Sequence, residues 1–152
     1  MSLSTDSIFI AAITADEDIM ESIGGRVYDT AIPLPDEDAD NVPVPYVIVT
    51  FDGLNNDETT KDDPFESDND QVTIGVLVTA ENRNALANLT RDIRKCVYDY
   101  MMTQLATDDD FPIEDYSLSA DAVQFDQFKP CFWQTLRYVC DVTNTIQEDE
   151  QD

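Results

Sequence analysis

Residues 71–80, QVTIGVLVTA, alternate so regularly that Val72, Ile74, Val76 and Val78 fall on one face of a strand. A slip of one residue would turn all four into water, so the stretch must lie in a sheet with one buried side. Just beyond it the period changes. Leu86, Leu89, Ile93, Val97, Tyr100 and Met101 recur at three- and four-residue steps, with Cys96 beside the stripe and Asn82 as N-cap. This predicts an amphipathic helix over 83–105. A one-sided strand feeding a long one-sided helix implies a layered fold in which the helix covers the sheet.

The flanking sequence extends the same pattern. Ile8, Phe9, Ala12, Ile13, Ile19, Met20 and Ile23 predict a helix over 6–23, with Ser4, Thr5 or Asp6 as N-cap. Gly24-Gly25 then offers a left-handed stop, and a short β-like run follows over 26–32. Residues 33–45, PLPDEDADNVPVP, form a loop, because four prolines donate no ladder hydrogen bonds and the acids between them repel. YVIVTF at 46–51 is β-branched and aromatic and predicts a strand. Residues 52–70 are acidic and nearly free of apolar anchors, and a loop of that length is functional or disordered.

After ATDDDFP, residues 116–128 alternate with a change of phase near Ala122-Val123, the mark of a β-bulge. Lys129-Pro130 makes a turn. Phe132, Leu136, Tyr138, Cys140 and Val142 then share the inward face of a closing strand, with the lone Trp133 on the other face. The expected order is α-β-β-β-α-β-β. It describes an α+β fold, a mostly antiparallel sheet of about five strands joined as meanders or hairpins, with two main helices on one face. A single domain over 1–146 is expected, followed by an acidic frayed tail over 147–152.

Charge constrains function more than fold. Thirty-three acids against eight bases give a formal net charge of −25 over 152 residues. Such a surface repels phosphate backbones and lacks the basic footprint of a nucleic-acid binder. It serves solubility in salt, or a surface that must not adhere to nearby DNA, or one that meets a basic partner. Hydrophobic residues make up 42 % of the chain, enough for a globular core, and no apolar run is long enough to span a membrane. The first twenty residues have no basic start and acquire acids within their apolar part, which does not read as a secretory signal.

Histidine is absent, which removes the Ser-His-Asp and Cys-His dyads and the commonest zinc ligand. Cys96, Cys131 and Cys140 form no CxxC pair and read as buried thiols of a reducing compartment. Gly24-Gly25 follows a helix, whereas phosphate cradles precede one, so the pair reads as a helix stop. The acidic stretches 36–40 and 62–70 lack the glycine and terminal glutamate of an EF-hand. Weak divalent binding at Asp62, Asp63, Glu66, Asp68 and Asp70 competes there with a plain solvated loop. Nothing in the spacing selects a catalytic carboxylate. No catalytic residue and no cofactor are expected, and the chain reads as a non-enzyme.

Three pieces in order, IGGRVYDTAIP, VPYVIVTFDG and DQVTIGVLV followed by an amphipathic helix, resemble the tail terminator or tail-completion proteins of long-tailed, lambda-like bacteriophages and prophages. The resemblance covers residues 8–100 well and the last two strands loosely. It implies a structural virion protein, assembled in the bacterial host cytoplasm, that forms a ring, a hexamer, in the tail and neck region. Such a ring caps the tail tube, stops its polymerisation and offers the surface to which head–tail connector proteins attach. DNA passes through its lumen without specific binding, and no membrane is involved.

Four of the eight bases, Arg83, Arg91, Arg94 and Lys95, fall on the second helix. A ring of strongly negative subunits needs local compensation. Arg91, Arg94 and Lys95 are the expected partners for Asp57, Glu58, Asp62 and Asp63 of a neighbour's acidic loop, a heterologous interface that closes into a ring. The alternatives are a head–tail joining protein of the same virion region and, from another class, an acidic DNA mimic. A mimic would set its acids along ordered elements, whereas here they cluster in loops and the tail.

Overall fold

The computed structural model describes residues 2–31, 43–56, 69–127 and 130–143. The fold is α+β, as the periodicities imply. Helices α1 (Thr5–Thr14) and α2 (Glu17–Ser22) precede β1 (Val27–Asp29), β2 (Val47–Asn55) and β3 (Asn69–Ala80). Helix α3 (Arg83–Thr107) follows, and β4 (Ile113–Ala120), β5 (Gln124–Asp126) and β6 (Cys131–Thr143) close the chain.

The sheet order is β1-β2-β3-β6-β4, with β5 also on β6. β1 runs parallel to β2, and every other pairing is antiparallel. The expected chain of meanders and hairpins therefore holds only for β2–β3 and for β4–β5–β6. β6 inserts between β3 and β4, and α3 spans the crossover between these two co-directional strands. The reason is length: β6 at thirteen residues is long enough to pair with all of β3, which places these two strands at the centre of the sheet.

One face of the sheet carries the core. Val47 and Val49 of β2, Val72, Ile74, Val76 and Val78 of β3, and Leu136, Tyr138, Cys140 and Val142 of β6 are all buried. Phe9, Ala12 and Ile13 of α1, Ile19 of α2, Ile23 just beyond it, and Leu86, Ile93, Val97 and Met101 of α3 cover them. The three described α-helices thus lie on one side, and no described helix covers the other face of the sheet.

The helix expected over 6–23 breaks at Ala15-Asp16. Asp16 turns extended and accepts a hydrogen bond from the Ile19 amide at 3.1 Å, capping a new helix whose first turn holds Glu17 and Asp18. The break lets Ile19 and Ile23 reach the core from a second direction. α2 then stops at the glycine pair as the sequence implies. Gly24 and Gly25 have φ of 61° and 74°, Gly24 N–H donates to Glu21 O and Gly25 N–H to Met20 O, a Schellman closure. Arg26, next in line, donates its Nε–H to Pro45 O at 3.1 Å and accepts from the Val47 amide through its own carbonyl. These bonds fix β1 beside β2.

Two strands depart from their predicted limits. β2 runs on to Asn55, past the expected end at Phe51, by bulging between Phe51 and Gly53. The phase change near Ala122 is a full interruption, since β4 ends at Ala120 and β5 resumes at Gln124 on the same partner strand. β4 and β5 thus make one broken edge, and the six described strands form a sheet five positions wide.

Candidate functional site

The bases of α3 lie where the helix passes over the edge strand β4. Ile93, Cys96 and Val97 face the core. The neighbouring turn positions Arg91, Arg94 and Lys95 therefore stand at the helix flank and overhang β4. With Tyr98 of α3 and Tyr116 and Leu118 of β4 they line an open cleft of about 430 Å³. Tyr116 and Leu118 pair with Cys140 and Tyr138 of β6, which puts them on the helix-covered face at the sheet's edge.

The cations are available. Arg91 pairs only loosely with its neighbour Asp92 at 3.3 Å, with its side chain 71 % exposed. Among the described residues Arg94 and Lys95 form no salt bridge. The Tyr116 hydroxyl has its pKa raised by burial and by Tyr98 and Cys140, with the positive charge of Arg94 pulling against that rise. Lys95 stands on a ridge: on its other side a cleft of about 290 Å³ is lined by Asp16, Asp18, Asp92 and Asp99.

The basic cleft continues toward the C-terminal end of α3 as an apolar channel of about 240 Å³. Tyr98, Met101, Met102 and Leu105 line it on one side, and Ile113, Glu114, Asp115 and Tyr116 on the other. Tyr98, Met102 and Leu105 are 54 %, 50 % and 44 % exposed, an apolar stripe with no covering layer among the described residues. The sequence does not set this stripe apart. Its signal, apolar residues at 98, 102 and 105, sits beside the core stripe and merges with it on inspection.

Of the other expected site residues, Asp57, Glu58, Asp62, Asp63, Glu66 and Asp68 lie outside the described residues. Asp70 lies in β3, buried, and accepts a hydrogen bond from Asn56 Nδ2. Among the described residues no group of three or more Cys, Asp or Glu is placed to hold a metal ion. All three cysteines are buried, and burial pushes the thiols of Cys96 and Cys140 up to about 12, which keeps both protonated and poor as nucleophiles. No described helix is long and apolar enough to cross a membrane.

The face of the sheet away from the helices holds a second polar group that the sequence did not signal. Arg137 of β6 reaches Asp121 at 2.9 Å and Asp52 at 3.2 Å, linking the β4–β5 break to the β2 bulge. Asp52 in turn accepts from Thr50 Oγ1 at 2.7 Å. These two irregularities of the sheet are therefore tied to one cation.

The chain shares its fold with a virion protein. A chain of the virion of a native gene transfer agent particle superposes with a TM-score of 0.54 and 11 % identity, over 91 % of this chain and 94 % of that one. The correspondence thus takes in both chains almost whole. No protein-family model and no curated protein matches the sequence.

Proposed function

We propose that the chain is a structural virion protein, a tail terminator that closes into a hexameric ring on the end of the tail tube. The reading rests on one observation above all: near-complete overlap of fold with a chain of a gene transfer agent virion. The ordered likeness of the sequence to tail-completion proteins adds to it. No catalytic step belongs to this role. The ring ends tube growth, presents its outer surface to connector proteins at the neck, and lets DNA pass a lumen whose carboxylates repel the duplex.

The basic cleft supplies the attraction that so acidic a subunit needs for self-association. Arg91, Arg94 and Lys95 of one subunit meet acids of the next, including Asp57, Glu58, Asp62 and Asp63. The joined surfaces differ, so repetition closes a ring and does not stop at a dimer. Arg91→Glu with Arg94→Glu then weakens the ring. Light scattering of the wild type should show an oligomer that the double variant loses, and added salt should weaken the wild type as well. An oligomer unchanged by charge reversal and by salt would remove this interface. A divalent cation bridging the acids is a separate version, which assembly indifferent to a chelator would exclude.

A further inference from the structure

β4 is the outermost strand on its side of the described sheet. Asp121, one residue past its end, donates its amide to Thr135 O of β6 at 2.9 Å. In an antiparallel pair every second residue bonds to the partner strand, so Ser119 and Ser117 bond inward to β6 as well. The backbone groups of Tyr116, Leu118 and Ala120 therefore point outward, a row of hydrogen-bonding positions along the edge.

The charges along this edge change sign from one end to the other. Arg91, Arg94 and Lys95 of α3 stand over the Leu118 end. Glu114 and Asp115 mark the opposite end, beside Met102 and Leu105. An outside acidic segment laid along the edge is repelled at one end, and a basic segment at the other. A second copy turned end for end about a twofold axis meets neither repulsion, because its acids arrive at the first copy's cations. The two α3 helices then flank the seam and run antiparallel. Exposed Met102 and Leu105 of each face the aliphatic stems of Arg94, Lys95 and Arg91 of the other, whose charged heads reach on toward the acids.

We propose that a second copy of this chain docks on β4 by antiparallel β4–β4 pairing about a twofold axis at Ser117, which joins the two sheets into one. This register sets Tyr116 of each copy opposite Leu118 of the other, so outward-pointing residues bond in pairs. Asp115 falls opposite Ser119, and no like charges face each other. The pairing covers the cations that the proposed ring contact uses, so a paired chain is held out of the ring until the pair opens. It stands on the edge and its charges alone and does not rest on the virion role.

Sedimentation of the full chain over a range of concentrations tests it. The wild type should pass from monomer to dimer as concentration rises. Leu118→Pro removes an outward N–H without breaking a bond to β6, and Ser117→Glu sets two carboxylates across the axis. Each should weaken the dimer about tenfold or more while leaving the ring cations in place. Protein carrying Ser117→Glu mixed with protein carrying Ser117→Lys should regain the dimer that each loses alone, which a folding defect would not allow. A wild type that stays monomeric at every concentration would overturn the proposal, as would a dimer that neither variant weakens. Rings that assemble with no dimer at lower concentration would also overturn it and leave the proposed function standing. Dimers that never close into rings, even on tail tubes, would support the pairing and remove the ring.

Discussion

Arg137 of β6 meets Asp52 of β2 at 3.2 Å on the face of the sheet away from the helices, although β3 lies between the two strands. The contact is possible because the residue between them on β3 is Gly75, paired with Thr50 on one side and Arg137 on the other. A Cβ at Gly75 would stand 2.5 Å from Asp52 Oδ2 and 2.7 Å from Thr50 Oγ1. The glycine is needed for space and not for an unusual backbone angle.

Gly75→Ala should therefore displace the Asp52 carboxylate and lose its pair with Arg137. Both partners are partly exposed, so the loss is about 1 kcal/mol, against a smaller opposing gain from alanine's lower unfolded-state entropy. Arg137→Ala should cost about as much, through both carboxylates it holds. Urea denaturation of the two single variants and the double variant should show coupling of about 0.5 kcal/mol or more. Simple additivity would mean that Gly75 does not serve this contact.

Tyr138 is fully buried, with its ring against Phe9 at 4.9 Å and Tyr116 at 5.0 Å between centroids. Its hydroxyl has no hydrogen-bond partner among the described residues. Burial, the first cause, and the nearby Tyr116 raise its pKa, so it stays neutral. Tyr138→Phe removes an unsatisfied polar group and keeps the ring, and should stabilise the fold by about 1 kcal/mol. Tyr138→Leu should lose about 2 kcal/mol through the aromatic contacts. Thermal denaturation distinguishes the two, and a destabilised phenylalanine variant would show that the hydroxyl has a partner.

Asp6 lies in the first turn of α1, where the helix terminus favours its charge. Burial and the facing Asp29 carboxylate outweigh that, and its pKa is raised. The folded state thus binds the proton more tightly than the unfolded chain. Stability from this group is fully present below the ordinary carboxylate range and is lost as pH rises through the raised folded value. Asp6→Asn should raise the melting temperature at neutral pH, and the difference should close as the pH falls toward about 4. A gain that persists unchanged into acid would rule out the titration of Asp6 as its source.

Most of the fold is readable from period and punctuation. The alternation of Val72 to Val78, the stripe of α3 and the glycine stop after α2 all act over a few residues, so local sequence states them. What was not readable depends on partners far along the chain. Nothing near Val27–Asp29 specifies a parallel neighbour, and the length match of β3 with β6 emerges only when both are placed. The break at Asp16 did have a local sign, an aspartate followed by two acids and a gap in the apolar stripe between Ile13 and Ile19. The stripe on either side of that gap reads as one helix because both halves bury the same kind of residue.

The candidate site was half legible. Arg91, Arg94 and Lys95 share a helix flank by spacing alone. Tyr116 and Leu118 join them only because β4 lands at the sheet edge beneath α3. The Asp52 bulge was hidden because Asp-Gly after a strand is also turn chemistry, and the choice depends on Arg137, eighty-five positions away.

Electron microscopy of the purified protein, alone and mixed with cognate tail tubes, shows whether the chain closes into a ring that ends tube growth. Closed rings of uniform size are expected and, in the mixture, one ring seated at the growing end of each tube, with tube length fixed from then on. Particles that remain monomeric in the mixture, with tubes that keep lengthening and carry bare ends, would contradict the tail-terminator role.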